Sequence, residues 1–306
     1  MGRVLPTAFA LALVAGSVGA LALTQRAKTE PSPLIAVHAD GVFSPECRCP
    51  QQIAKIDLEL RSRERLEVWM ERAGRRVATV VGGRTFARGP VPLGFLGVTD
   101  DGITLPDGAY EPVVHLGLSH RTIRLPRRIR IDTRPPTIEV HKTPMAVISP
   151  DGDGHADSFR TPYRLEEPAR AILLANDRRA FAARRPARTG TFVWDGRREG
   201  RGPRPGIYVL DATARDAAGN IANPYPFAVV QVRYVALGRR RVIARPAGRI
   251  AIRVSTDAPV VEWRLNGRTG TARRGTLILR APRRPGFYRL FVTAAGHAAK
   301  AAVVVA

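Results

Sequence analysis

Three aspartates stand in the segment SPDGDGHADSF, Ser149 to Phe159, at Asp151, Asp153 and Asp157. Carboxylates two residues apart with glycines between them suit a hard cation such as calcium, which takes oxygen ligands. An EF-type loop also needs glycine at its sixth position and a bidentate glutamate at its twelfth. Counting from Asp151, glycine falls at the fourth position and Pro162 at the twelfth. Two readings therefore stand: Asp151, Asp153 and Asp157 ligate calcium, or they bond nearby backbone amides in a turn that enters a strand. No other cofactor is expected. Upstream, a segment with the same Ser-Pro opening reads SPECRCP, Ser44 to Pro50, and it carries the only two cysteines, Cys47 and Cys49. In an extended segment they point to one side. They form an intra-loop disulfide, remain free or intermolecular thiols, or serve a metal or redox centre.

The second kind of chemistry is electrostatic. The formal net charge is +23, and lysine occurs only at Lys28, Lys55, Lys142 and Lys300. From Val235 to Ala306 fourteen arginines and Lys300 face only Asp257 and Glu262, a surplus of thirteen positive charges. Arg239, Arg240, Arg241, Arg273, Arg274, Arg283 and Arg284 fall near strand ends or in turns, where side chains reach solvent. Such a surface binds polyanions with strong salt dependence; the alternative is a solvated face that reflects an arginine-rich composition.

Catalytic patterns are missing. The chain has no Gly-x-Ser-x-Gly, no His-Glu-x-x-His and no phosphate loop. His38, His115, His120, His141, His155 and His297 are scattered, and Asp100-Asp101 sit in a glycine turn. The expectation is a protein that is not an enzyme.

The elements that must position these residues read as strands. IAKIDLEL (Ile53 to Leu60) alternates apolar and polar residues, glycine and proline recur at short intervals, and no helical apolar period persists, which favours β-sandwiches. No helix is expected after residue 24. Self-comparison shows a repeat. Ser44-Pro45 leads to GFLGVTDDGITLPDGAY, Gly94 to Tyr110, and Ser149-Pro150 leads to FVWDGRREGRGPRPGIY, Phe192 to Tyr208. A third, smaller unit ends in RPGFYRLFVTAAG, so a Gly-x-Tyr step recurs at Gly108, Gly206 and Gly286. Phe95, Tyr110, Trp194, Tyr208 and Tyr288 are expected in sandwich cores rather than as sugar-stacking platforms.

Val4 to Leu23 carries no charge over twenty residues, enough to span a bilayer core as a helix. Ala20-Leu21-Ala22 fits a signal cleavage site. The expected protein is therefore exported, membrane-anchored with extracytoplasmic domains or secreted after cleavage. Intracellular nucleic acid is not an expected partner.

SPDGDGHAD, FVWDG, PGIY and DAAGN (Asp216 to Asn220), in that order, resemble the immunoglobulin-like domain named after the flagellar hook-capping protein FlgD. Residues 42 to about 132 resemble a diverged copy, with Phe95 where Trp is usual and Leu96 in place of the following aspartate. WRLNG and RPGFYRLFVTAAG more loosely resemble the C-terminal β-domain of bifunctional penicillin-binding proteins. These resemblances imply non-catalytic modules in an exported, bacterial cell-envelope protein, although a module does not fix a function.

The expected fold is thus all-β, tandem immunoglobulin-like sandwiches after an N-terminal transmembrane or signal helix, divided as 1–33, 34–134, 135–234 and 235–306. The expected function is a stalk that provides spacing and adhesion to an anionic cell-wall polymer, a membrane surface or an envelope protein. The rival readings are an accessory factor that docks a wall-synthesis enzyme, and a wall-modifying enzyme.

Overall fold

Alternation of apolar and polar residues decides the architecture, because it gives each strand one face to bury. The computed structural model describes residues 32–197 and 201–306. The apolar run Val4 to Leu23 lies outside the described residues, among which no helix is long and apolar enough to cross a membrane. Among them the one helical element is a 3-10 turn at Pro50–Gln52.

The chain divides into two compact units, one ending at Thr133 and one running Arg134–Ala306. The first is a sandwich of β1 (Leu34–Ala39), β2 (Val42–Phe43), β3 (Ala54–Leu60), β4 (Glu64–Arg72), β5 (Arg75–Phe86), β6 (Gly89–Phe95), β7 (Gly108–Leu116), β8 (Arg121–Arg124) and β9 (Ile129–Ile131). A sheet ordered β1-β3-β6 faces one ordered β2-β9-β7-β4-β5, with β8 beside β7. Ile56 and Leu58 of one sheet share a buried cluster with Leu66, Val68, Tyr110 and Ile129 of the other.

The second unit holds two sandwiches with separate cores. One contains β10 (Ile138–Val140), β11 (Thr143–Ile148), β12 (Phe159–Ala175), β13 (Arg178–Ala182), β14 (Ala187–Trp194), β15 (Gly206–Arg215) and β16 (Tyr225–Val232). Strand β12 serves both sheets: its first half pairs with β10 and β14, and from Arg170 onward it pairs with β15. The register shift falls between Arg164 and Ala169, across Pro168, whose missing N–H leaves the ladder without a donor where the strand changes sheets.

The last sandwich contains β17 (Ala236–Leu237), β18 (Arg241–Ala244), β19 (Arg249–Ser255), β20 (Val260–Leu265), β21 (Arg268–Arg273), β22 (Gly275–Arg280), β23 (Gly286–Ala294) and β24 (His297–Val305). Its sheets run β17-β19-β22 and β18-β24-β23-β20-β21 around a third core. In all three sandwiches a short early strand pairs parallel with the last one: β2 with β9, β11 with β16, β18 with β24. Every other strand pairing is antiparallel, and the topology is immunoglobulin-like.

The Gly-x-Tyr step has one structural meaning three times over. Tyr110, Tyr208 and Tyr288 each donate a hydroxyl hydrogen bond to the carbonyl four residues earlier, at Pro106 (2.5 Å), Arg204 (2.9 Å) and Arg284 (2.9 Å). This pins the turn into the late strand, as the tyrosine corner does in related sandwiches. Gly108 and Gly286 enter that strand at φ 148° and 149°, which a side chain disfavours.

The core expectation needs one correction. Phe95, Tyr110 and Trp194 are buried, whereas Tyr208 and Tyr288 are half-buried and pack against the edge of their cores. A ring whose hydroxyl must reach the turn sits at the end of the sandwich.

Glu64 is a buried charge with a clear task in the first sandwich. It accepts hydrogen bonds from the Leu118 amide (2.7 Å), the Arg65 and Ser119 amides (each 3.2 Å) and the Ser119 hydroxyl, and so closes the turn between β7 and β8. Burial is the largest single influence and pulls its carboxyl upward, yet these hydrogen bonds together hold it below the usual carboxylate range. A depressed folded value stabilises the fold above the unfolded value and loses that effect as pH falls through the folded one. Glu64→Gln, which turns a donor toward these amides, is expected to lower stability by about 1–3 kcal/mol at neutral pH. The gap to the native protein, read from urea midpoints, should close as the pH drops below about 4; a gap independent of pH would mean that the charge is not what matters.

Candidate functional site

The sequence grouped seven arginines by adjacency, and the strands separate them. β19 leaves the Arg245–Gly248 turn and runs to the Thr256–Pro259 turn, so these turns mark opposite ends of the sandwich. Arg274 lies at the second end, where its Nη1 donates to the Asp257 carbonyl at 3.2 Å, and Arg273 is paired in register with Val260 beside it. Arg283 and Arg284 lie at the first end, next to Pro282, whose carbonyl accepts the Ala247 amide at 3.1 Å. Arg239, Arg240 and Arg241 precede or open β18, just after Leu237 pairs with Val254 and the Gly238 amide donates to the Arg253 carbonyl at 2.8 Å, so they follow a strand that runs beside the second end. All seven are exposed, with Arg283 and Arg284 at the end of the sandwich opposite Arg273 and Arg274.

A different set does converge. The outward positions of β19 are Arg249, Ala251 and Arg253, and those of β22 are Thr276, Ile278 and Arg280. Antiparallel register sets Arg249 directly opposite Arg280 and Ala251 opposite Ile278. Arg268 opens the edge strand β21 nearby. Together with Trp263, Leu265 and Ile278 these three arginines line an open groove of about 590 Å³. The Trp263 indole lies over Gly270, its cross-strand partner, where an added Cβ would come within 2.8 Å of the ring. Glycine there lets the indole lie flat at the rim of the core.

Among the described residues none of the guanidinium groups of this sandwich makes an ion pair. Like charges directly opposite across strands are destabilising. The groove is therefore a cationic slot with an aromatic wall, suited to an anionic group set between Arg249 and Arg280 with an apolar or sugar face against Trp263. Adjacency in sequence points to the seven arginines. Arg249, Arg268, Arg280 and Trp263 were missed, although the alternation in RIAIRVS already puts Arg249 and Arg253 on one face.

The aspartate loop lies in the other sandwich of this unit, between β11 and β12. Asp157 faces inward to the loop: its two oxygens accept the amides of Gly152 (2.7 Å) and Gly154 (2.8 Å). The Gly152 amide leads in holding its carboxyl below the usual range, with burial opposing and the Gly154 amide and Arg197 adding to it. Asp157 thus ties the turn together, and it lies outside the carboxylate cluster that Asp151 and Asp153 join. Asp151 and Asp153 instead face Asp257, from the β19–β20 turn of the last sandwich, and one ligand atom from each lies within 4.8 Å of the others. Burial first, then the charges of Asp153 and Asp257, push the Asp151 carboxyl upward.

In the first sandwich the matching segment lies between β2 and β3, and Cys47 and Cys49 are joined there by a disulfide with Cα atoms 5.2 Å apart. Asp100 of the carboxylate pair accepts the Thr79 amide (2.6 Å) and hydroxyl (2.8 Å), which ties its loop to β5.

No protein-family model and no curated protein matches the sequence. Solved structures similar to the chain include fibronectin(III)-like modules of CbhA from Clostridium thermocellum, at 13% identity, TM-score 0.36, covering 65% of this chain and 94% of that one. The I9–I11 tandem of titin is similar at 10% identity, TM-score 0.31, covering 88% and 99%. A Bacteroides ovatus protein of a mixed-linkage glucan utilization locus, SGBP-B in complex with a heptasaccharide, is similar at 12% identity, TM-score 0.22, covering 91% and 69%.

Proposed function

We propose that this chain is a non-enzymatic adhesion protein of the cell envelope, whose last sandwich holds an anionic polymer in the groove between Arg249, Arg268, Arg280 and Trp263. The observation that carries this reading is the register that sets Arg249 opposite Arg280, with no ion pair to either among the described residues. An unligated groove holds this repulsion, and a bound phosphate or carboxylate relieves it, so affinity arises from charge rather than from a deep pocket. The other two sandwiches act as spacers. The FlgD-type motifs of the second sandwich and the apolar run Val4 to Leu23 support an exported, tethered protein, and anionic wall polymer is the abundant ligand there.

The test is co-sedimentation of the full chain with purified cell wall across a salt series. The expected result is retention at about 50 mM salt that drops by tenfold or more by about 200 mM. Absence of binding at low salt would end this reading. Release of soluble fragments from the wall would make the protein an enzyme instead.

A further inference from the structure

We propose that Asp151, Asp153 and Asp257 form a binding site for a hard divalent cation, calcium, that joins the second sandwich to the third. The three carboxylates come from two sandwiches and approach within 4.8 Å of one another. Proximity of acidic groups is common on surfaces, and the deciding feature is Asp257. Both of its carboxylate oxygens are shielded from solvent and have no hydrogen-bond partner among the described residues. A shielded carboxylate without a partner is strongly disfavoured, and here two further carboxylates face it. A cation between them removes both penalties.

The surroundings hold Asp257 in place. Thr256, its neighbour, donates its hydroxyl to the Tyr234 carbonyl at 2.7 Å, which anchors the β19–β20 turn to the last residues of the second sandwich. Tyr234 stacks on His297 of β24, with ring centroids 3.5 Å apart and planes 3° from parallel. Two cations compete for the role of counterion: Arg274, whose Nη1 donates to the Asp257 main-chain carbonyl and not to its carboxylate, and Arg197. The Arg197 Nη2 is directed to the Pro150 carbonyl at 3.4 Å and its charge acts on Asp157, so among the described residues neither arginine partners the Asp257 carboxylate. On the other side of the cluster, Ser149 and the Asp153 amide donate to Asp151 at 3.3 Å and 3.2 Å, which orients that carboxylate and still leaves it lone pairs for a cation.

All-oxygen donors exclude a soft metal, and donors from two separate sandwiches suit the flexible coordination of calcium better than the strict octahedron of magnesium. Three carboxylates and a partly open site place the dissociation constant in the range of extracellular modules, about 10⁻⁴–10⁻³ M.

Isothermal titration of the full chain with calcium chloride tests this, alongside Asp257→Asn and Asp153→Asn. One calcium per chain in the native protein, weakened at least tenfold in both variants, is the expected result. Thermal scans give the second readout: calcium should raise the midpoint of the native protein and not that of Asp257→Asn, while without calcium Asp257→Asn should be at least as stable as the native chain, because it lacks the repulsion. No heat of binding at concentrations up to about tenfold above the expected dissociation constant would overturn the site. Binding that survives both substitutions would overturn it equally, since the ion would then sit elsewhere. Should Asp257→Asn not fold, the exposed Asp153→Asn carries the test alone.

Discussion

Replacing Tyr110 with alanine should destabilise the first sandwich by about 3–5 kcal/mol, the range for truncating a large aromatic side chain in a core. The ring is fully buried, lies 6.4 Å from Phe95 centroid to centroid, and carries the Arg72 guanidinium at 5.4 Å. Its hydroxyl donates to Pro106 and accepts from Arg72 Nη1 at 3.1 Å, so the truncation opens a cavity and also removes two hydrogen bonds. Against a typical domain stability of about 5–15 kcal/mol this is a large share. Tyr110→Phe keeps the packing and should lose only about 1 kcal/mol for the hydrogen bond. Hydrogen exchange read by mass spectrometry checks both. Amides of β3, β4 and β7 should lose about 10²- to 10⁴-fold of protection in the alanine variant, and peptides from the last sandwich give an internal reference. A loss below tenfold would mean that Tyr110 is replaceable and that the repeated step has some purpose other than holding the turn.

What the sequence disclosed follows from how local each signal is. The tyrosine hydroxyl reaches a carbonyl four residues away, so Gly108-x-Tyr110 and its two counterparts were visible as a repeat without any fold. The DAAGN turn is equally local: Asn220 and Asp216 exchange hydrogen bonds over four residues, with Gly219 at φ 98°. The two Ser-Pro loops were matched by order, and both fall between the early parallel-paired strand and the next. Signals that depend on register or on the approach of one sandwich to another left no local trace. Asp257 is over a hundred positions from Asp151, so spacing points to Asp157, which instead closes its own loop through two glycine amides and lies outside the cluster. Adjacent arginines looked like a patch because adjacency is what a sequence shows, but neighbours in a strand face opposite ways. The residues that meet are Arg249 and Arg280, joined by antiparallel pairing. The length of β12 is equally invisible locally, because the proline at 168 marks a change of sheet within one strand rather than its end.

Reversing Arg249, Arg268 and Arg280 to glutamate should lower affinity for anionic wall polymer by about 10³-fold or more, on the basis of about 1.5–3 kcal/mol for each charge-assisted hydrogen bond that the guanidinium groups supply. Reversing Arg239, Arg240 and Arg241 changes the net charge by the same amount and serves as the control. The fold should tolerate the first set, because a glutamate pair at 249 and 280 repeats the like-charge opposition that the arginine pair already imposes. If the groove is where the polymer sits, the first triple should also flatten the dependence of log affinity on log salt by about one for each guanidinium replaced, and the control should leave that slope nearly unchanged. Long-range attraction alone acts on total charge and treats both triples alike. Equal losses would therefore dissolve the groove into a diffuse basic surface. Unequal losses would locate the ligand at Trp263, where truncation to alanine should then weaken binding without altering the salt slope, since stacking carries no counterion.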